Sequence, residues 1–589
     1  MVRISIITFA SITLLHRCNV LGLEQQPETA FLWSSTGGGW RAMAADMGFA
    51  NLFYQAGLIN NEASSFSAIS TTSGGSWFST QFFFSKEFHY NTLSAPKQLH
   101  SFVLSWMSSY YGFSTSVPSN SHCMNISTAN SPTGSEGSVK ERIKQEVLEQ
   151  MCDMLVYTRG NWAEFITDML NATSTGYQDV GFVDRPAVSE NRVSSLQGTD
   201  LLIQTSLAPS ARTRLSFQEE NVMLGPSISQ SDQLYSTLLP ARYTVSSSSS
   251  GFTLGSGVQL NAYTIKSPGN FSFADYIEFS LYPDRNNGTL LFDYPAPELR
   301  GAMSVPFGGN PAATSKLAAI SSAAVGVFSG LVPSVFAQVA SLVLHENQAE
   351  ASEIYSDQLF DGLSVCSQWP ESCGVTDGRF VDGGFTDNPA LAMNIANFQK
   401  SGNLSATLKV VLTNTNIWSD ASYSTSMILS YFNTTFNQGV HPGAYIWAPE
   451  QVAPWPSSQI FDTYLDATML NDSMQPISNG SNVTTALLNG TTLNNPMYGV
   501  QAGQKVEILL ISINSNVPTI IVGPTIIALN AEKVANLALS IASSEVLLDR
   551  IQQFFGQGTD VMKSSSNSSS EATAPAVGLI HQRLRRRTI

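Results

Sequence analysis

Three short segments carry residue types that could do covalent chemistry. They are Thr36-Gly37-Gly38-Gly39-Trp40-Arg41, Thr71-Thr72-Ser73-Gly74-Gly75-Ser76, and Phe380-Val381-Asp382-Gly383-Gly384 running on through Phe385-Thr386-Asp387-Asn388-Pro389. Consecutive glycines between a strand and a helix let backbone N–H groups converge on one small space. That suits a phosphate cradle, an oxyanion hole or simply a tight turn. A phosphate-binding nucleotide loop would end in Gly-Lys-Ser/Thr and a dinucleotide fingerprint would space its glycines differently, and neither pattern occurs here. A serine between a strand and a helix, with small neighbours, fits a nucleophile elbow as well as an ordinary Ser/Gly turn. The usual elbow reads Gly-x-Ser-x-Gly, whereas Thr71 holds the first position in this chain.

A serine hydroxyl is a poor nucleophile without a base. The chain has seven histidines: His16 lies in the N-terminal apolar segment and His581 in the tail. His89, His100, His122, His345 and His441 lie in no recognisable motif. Outside the tail, only His441 follows both Ser73 and Asp382, the order a Ser–Asp–His hydrolase requires. Asp382 is the other candidate base, a carboxylate at a strand end whose glycines permit close backbone approach. An unperturbed aspartate, with a pKa of about 3.9, is a weak base. Burial beside Ser73 would raise its proton affinity, although an aspartate that merely braces its glycine turn fits the same residues. No His, Cys, Asp or Glu cluster has metal-ligand spacing, so neither a metal nor another cofactor is expected.

Taken together and in this order, the three segments resemble the patatin-like and cytosolic phospholipase superfamily, closest to its lysophospholipase (phospholipase B) branch. Thr36 to Met43 is similar to that branch's Ser-Gly-Gly-Gly-x-Arg-Ala-Met, and Thr71 to Trp77 to its Gly-x-Ser-Gly-Ser/Gly-x-Trp. Glu278-Phe279-Ser280-Leu281-Tyr282 is similar to a Glu-Phe-Thr-Pro-Tyr segment, and the spacing of 309 residues between Ser73 and Asp382 also fits the branch. The likeness covers about residues 30–84 and 376–398, and Thr36 and Thr71 depart from it. It implies Ser73 as nucleophile, Asp382 as its base, and the amides of Gly38, Gly39 and Gly74 as the oxyanion hole. It also implies Arg41 facing a substrate phosphate, and neither a histidine nor a metal in catalysis. Ser321-Ser322-Ala323-Ala324 loosely resembles a pocket-lining element of patatin-like folds.

The elements that must position these residues read as α/β, with a central, mainly parallel sheet, flanking helices and a large inserted cap. Strands are expected at Ala30–Trp33, Phe66–Thr72, Tyr276–Tyr282, Arg379–Val381, Leu408–Thr413, Val506–Ile513 and Thr519–Val522. Helices are expected from Trp40 to about Ala56, through Phe84 after Ser73, and over Val139–Leu155, Pro389–Phe398 and Ala531–Phe555. Strand–glycine turn–helix units in tandem are what point to a parallel sheet. The uncharged run Leu317–Leu344 is long enough to span a bilayer, but Gly326, Gly330 and Pro333 interrupt it and favour helices buried in the fold. Residues 23–560 read as one catalytic domain, with about 90–300 as cap or insertion and about 414–504 as glycosylated loops. Residues 561–589 read as a disordered Ser-rich and basic tail.

Residues 1–22 read as a secretory signal, with Arg3 ahead of the apolar run Ile4–Leu15 and Val20-Leu21-Gly22 as a cleavage region, while His16 and Arg17 interrupt that pattern and keep an uncleaved anchor as the alternative. Eleven Asn-x-Ser/Thr sequons agree with secretion: Asn125, Asn171, Asn270, Asn287, Asn403, Asn433, Asn471, Asn479, Asn482, Asn489 and Asn567. Once Cys18 leaves with the signal, Cys366 and Cys373 could close a short loop and Cys123 could pair with Cys152, one of three pairings open to four cysteines.

A formal net charge of −15 argues against nucleic acid as a partner, since phosphate neutralisation needs clustered Lys and Arg. It also favours zwitterionic or neutral lipid over anionic surfaces. Trp77, Phe78, Phe82, Phe83, Phe84, Trp106, Met107, Tyr110, Tyr111 and Phe113 could line an acyl pocket or meet a membrane or micelle surface, or could be core. The reading that unites these features is a secreted serine hydrolase of phospholipid or lysophospholipid acyl esters, in the extracellular space or a vacuole-like compartment. Its alternatives are a Ser–His–Asp esterase using His441 and a non-catalytic secreted lipid-binding protein.

Overall fold

The computed structural model describes residues 29–116, 162–174, 185–208, 234–236, 239–246, 250–254, 259–266, 289–298, 304–305, 313–322, 379–415, 428–432, 459–465, 475–478, 481–495, 498–518 and 524–556. The expected signal, the four paired-cysteine candidates, His441, the Tyr276–Tyr282 strand, the Val139–Leu155 helix, the Thr519–Val522 strand, residues 323–344 and the tail lie outside them.

The strands in chain order are β1 (Thr29–Ser35), β2 (Phe66–Thr72), β3 (Asp200–Ala208), β4 (Leu234–Ser236), β5 (Leu239–Val245), β6 (Ser250–Leu254) and β7 (Gln259–Lys266). They continue as β8 (Thr289–Glu298), β9 (Ser304–Val305), β10 (Arg379–Asp382), β11 (Thr407–Asn414), β12 (Gln475–Ser478), β13 (Ser481–Thr491) and β14 (Lys505–Asn514). The helices are α1 (Gly39–Gln55), α2 (Gly74–Phe84), α3 (Lys86–Thr92), α4 (Pro96–Ser116), α5 (Trp162–Ser174), α6 (Thr314–Ser321), α7 (Ala392–Gln399), α8 (Pro524–Ala542) and α9 (Glu545–Phe555).

Eleven strands form one mixed sheet in the order β12-β13-β14-β11-β1-β2-β3-β5-β6-β9, with β10 beside β3. Its centre, β14-β11-β1-β2-β3, is parallel, and the outer strands pair antiparallel. The central strands carry near-continuous apolar runs such as Leu201-Leu202-Ile203 and Val410-Val411-Leu412, all buried, as a strand covered by helices on a parallel sheet requires. A separate three-stranded antiparallel sheet joins β4, β7 and β8. The α1 and α8 helices approach so closely that a Cβ at Gly48 would lie 2.7 Å from Ile541 Cβ.

Two expectations about the outer regions need correction. Part of the 90–300 stretch belongs to the main sheet and not to an inserted cap, because β3 pairs with β2 and carries β5 and β6 beyond it. Part of the 414–504 stretch is likewise strand: β13 pairs antiparallel with the whole of β14 and buries Val483, Ala486 and Leu488. The α7 helix begins at Ala392 and not at Pro389, since Ala390 takes φ 52° and the Asp387 carboxylate accepts the N–H groups of Leu391 and Met393 at 3.1 and 3.0 Å. Among the described residues, no helix is long and apolar enough to cross a membrane.

Candidate active site

β3 brings the two distant chemical segments together. Along one flank it pairs with β2 up to Thr72, opposite Gln204, and with β10 from the other direction down to Asp382, opposite Thr205. The ends of β2 and β10 therefore meet head to head at adjacent residues of one ruler strand. Ser73 and Asp382 are the residues at that junction. Ser73 Oγ donates a hydrogen bond of 2.7 Å to Asp382 Oδ2.

Ser73 takes φ 52° and ψ −122° between β2 and α2. That backbone region is costly for any residue with a side chain, by about 1–3 kcal/mol. The turn is held by a hydrogen bond from Ser73 N–H to Ser321 Oγ at 3.0 Å and by the Ser76 N–H to Ser73 carbonyl contact at 2.8 Å. Ser321 then donates to the Gln204 carbonyl at 2.6 Å, while its own carbonyl accepts Gly383 N–H at 3.1 Å. One residue at the end of α6 thus ties the serine turn and the ruler strand through its hydroxyl and the aspartate loop through its carbonyl. Ser322 receives Trp77 Nε1–H at 2.9 Å.

Asp382 is buried, and its Oδ1 accepts Gly384 N–H at 2.7 Å. Burial pushes its carboxyl up to about 6, with the hydrogen bonds from Gly384 and Ser73 opposing the rise. The carboxyl is therefore mostly ionised at neutral pH, yet a far better proton acceptor than an exposed aspartate. Gly383 packs on the ruler strand, where a Cβ would lie 2.5 Å from the Gln204 carbonyl oxygen.

The glycine loop lies against the same junction. Gly38 has φ 149° and Gly39 has φ 55°, both in the region that favours glycine. A Cβ on Gly74 would sit 2.0 Å from the Gly39 carbonyl oxygen, and one on Gly37 would sit 2.8 Å from Ser73 Cβ. Gly39 and Gly74 open α1 and α2, so their N–H groups have no acceptor within the helix, and both lie at a positive dipole end. Gly37 N–H donates to Asn388, at 3.1 Å to Oδ1 and 3.3 Å to the backbone carbonyl.

The two threonines that depart from the resembled motifs are absorbed locally. Thr71 is buried, with its hydroxyl 2.7 Å from that of Ser79 one turn into α2. Thr36 accepts Thr415 N–H at 2.8 Å and so fastens the end of β1 to the end of β11. Arg41, in the first turn of α1, is 5% exposed, and burial lowers its pKa to about 10, which leaves it cationic at neutral pH.

Of the aromatic set, Trp77, Phe78, Phe82, Phe83, Phe84, Trp106 and Tyr110, together with Met107, are buried, so they are not available to a membrane surface; Tyr111 is 42% exposed. The side chain of Phe113 is not among those described. Trp40 packs edge-on to Trp77 and tilted against Trp106 and Tyr110, at ring-centroid distances of 5.7, 5.0 and 4.6 Å, which packs α4 beside the glycine loop. His89 is also buried, between the Phe82 carbonyl and Ser195 Oγ at 3.1 and 3.0 Å, and burial lowers its pKa to about 4. That is the environment of a core histidine.

Sequence reasoning identified Ser73, Asp382 and the glycines, and the structure brings them together. It assigned no bracing role to Ser321 or Asn388, although both lie in segments it singled out: Ser321 in Ser321-Ser322-Ala323-Ala324, and Asn388 six residues beyond Asp382. No protein-family model matches this chain, and no curated protein matches it.

Proposed function

We propose that this chain is a serine acyl hydrolase of patatin-like, lysophospholipase type, acting on acyl esters of phospholipids or lysophospholipids through Ser73 and Asp382. The observation that carries the reading is the 2.7 Å hydrogen bond from Ser73 Oγ to a buried carboxylate, at a strained strand-to-helix turn. On this reading the turn is a nucleophile elbow. Strain retained at one half-buried serine is expected where pre-organisation serves a reaction.

In the proposed reaction Ser73 Oγ attacks the ester carbonyl carbon as its proton passes to Asp382 Oδ2. The carbonyl oxygen becomes an oxyanion facing the amides of Gly38, Gly39 and Gly74. Collapse breaks the bond to the alcohol oxygen, which leaves with the proton from Asp382, and an acyl-serine remains. Water then attacks the acyl carbon and gives its proton to Asp382. The second collapse releases the fatty acid and returns that proton to Ser73. Arg41, in the first turn of α1, is assigned as the cation for the substrate phosphate.

Turnover of a lysophospholipid by the wild type, Ser73→Ala, Asp382→Asn and His441→Ala tests this. Ser73→Ala should abolish turnover, and Asp382→Asn should lower kcat by about 100- to 10,000-fold, the range for loss of a positioned base. His441→Ala should leave it unchanged. Loss of turnover at His441 would instead make the chain a Ser–His–Asp esterase, and lipid binding without turnover would make it a non-catalytic lipid-binding protein.

A further inference from the structure

Asn388 is 3% exposed and wedged between the two loops that flank the serine. Its Oδ1 accepts Gly37 N–H at 3.1 Å. A Cβ built on Gly37 would be 2.7 Å from that oxygen and 2.8 Å from Ser73 Cβ, and one built on Gly384 would be 3.0 Å from both Asn388 Oδ1 and Asp382 Oδ1. The side-chain oxygen therefore touches the glycine loop and the aspartate loop at once, beside the nucleophile. The orientation of the amide is fixed, because a flip would set Nδ2–H against the Gly37 N–H donor.

That orientation leaves Nδ2 buried without a hydrogen-bond partner. A buried donor left unmatched destabilises a fold, so packing alone does not explain an asparagine here. The backbone beside it is also forced. Ala390, two residues on, is the one non-glycine residue besides Ser73 with positive φ among the described residues. Its carbonyl is held by Ser34 Oγ at 3.0 Å, and the following turn is clamped by Asp387. Strain and an unmatched donor thus accumulate on the segment that meets Gly37 N–H with both the side-chain oxygen and the backbone carbonyl of Asn388.

We propose that Asn388 is a positioning residue of this site, whose Oδ1 locks the glycine loop at Gly37 against Ser73 and Asp382, so that the neighbouring amides are aimed before substrate arrives. The inference rests on the hydrolase reading for its catalytic consequence, while the locking itself is a property of the fold. Asn388→Ala removes the side-chain acceptor and leaves Gly37 N–H only the longer 3.3 Å contact to the Asn388 backbone carbonyl. Asn388→Asp keeps an oxygen for Gly37 N–H but sets a second carboxylate against Asp382.

The test combines lysophospholipid kinetics across pH with amide hydrogen exchange of residues 36–41 in wild type, Asn388→Ala, Asn388→Asp and Ser73→Ala. In Asn388→Ala, exchange at Gly37 to Gly39 should accelerate at least about tenfold, and kcat should fall on the order of 10- to 100-fold with KM within about threefold. Asn388→Asp should keep exchange near the wild-type rate and move the acid limb of the kcat profile upward by about one pH unit, through like-charge repulsion. Unchanged exchange in Asn388→Ala would overturn the proposal. So would equal loss in both variants with an unmoved acid limb. Should Asn388→Ala fail to fold, the exchange rate and acid limb of Asn388→Asp decide. Wild-type protein without Ser73-dependent turnover would sink the hydrolase reading and leave the exchange comparison to judge the lock.

Discussion

Two buried carboxyls near the centre of the sheet are raised by the same cause and put to different uses. Asp382 is pushed to about 6 and points its Oδ2 at a hydroxyl that can give up a proton. Asp46, fully buried on α1, is pushed to about 8 and is met by the Ser35 hydroxyl at 2.7 and 2.9 Å and the Thr413 hydroxyl at 3.5 Å. For Asp46 the folded pKa lies above the ordinary carboxylate value, so the fold favours the protonated acid. Its stabilisation is complete below about pH 4 and is lost as pH rises through about 8. Asp46→Asn should flatten the decline of Tm between pH 6 and 8, a window above the raised pKa of Asp382, and thermal melts across that range check it. The rise at Asp382 was legible only as a consequence of burial beside Ser73, and the rise at Asp46 was not legible at all, because each follows from burial. The identity of Ser73 and Asp382 was legible, because glycine flanks and strand-to-helix punctuation are local signals.

At the scale of the element, β3 does the work that sequence reading assigned to nothing. The β2 strand was placed at Phe66–Thr72 and is found there, since a buried run ending in Ser-Gly-Gly declares its own boundary. The meeting of β2 and β10 was hidden, because it depends on the register of both along a third strand far from either in sequence. The β13 strand was hidden for another reason: its Asn and Thr sequons read as turn chemistry, and its pairing with β14 overrides that preference. Two substitutions probe the serine turn. Gly74→Ala forces a Cβ into the Gly39 backbone, and on the proposed mechanism should lower kcat on the order of 100-fold by displacing the amides assigned to the oxyanion. Thr71→Gly installs the glycine of the usual elbow pattern but removes the Ser79 contact and frees the backbone; it should cost about 1–2 kcal/mol in urea unfolding with no gain in kcat.

For the whole molecule, a parallel five-strand centre within a wider mixed sheet sets one site where the ends of β1, β2 and β10 converge. The chain around it carries a net charge of −15, so the long-range field repels anionic interfaces. Turnover on zwitterionic micelles should fall several-fold when anionic lipid is mixed in at low salt, and recover as salt shortens the screening length to a few ångströms, about 3 Å at 1 M. Rates measured against both composition and ionic strength check this, and a rise with anionic lipid would contradict it. The α/β class was legible from alternating strand and helix signals. The share of residues 90–300 that belongs to the sheet was not, because Ser/Gly-rich punctuation there resembles that of an insertion.

The most direct test of the central claim is fluorophosphonate labelling of the folded protein across pH, with the modified peptide identified by mass spectrometry. The account predicts a single adduct on Ser73, absent in Ser73→Ala, forming about tenfold faster per pH unit until the rate levels off near pH 6, where Asp382 is ionised. Folded wild-type protein that takes no label, or that labels Ser73 equally well in Asp382→Asn, would contradict it.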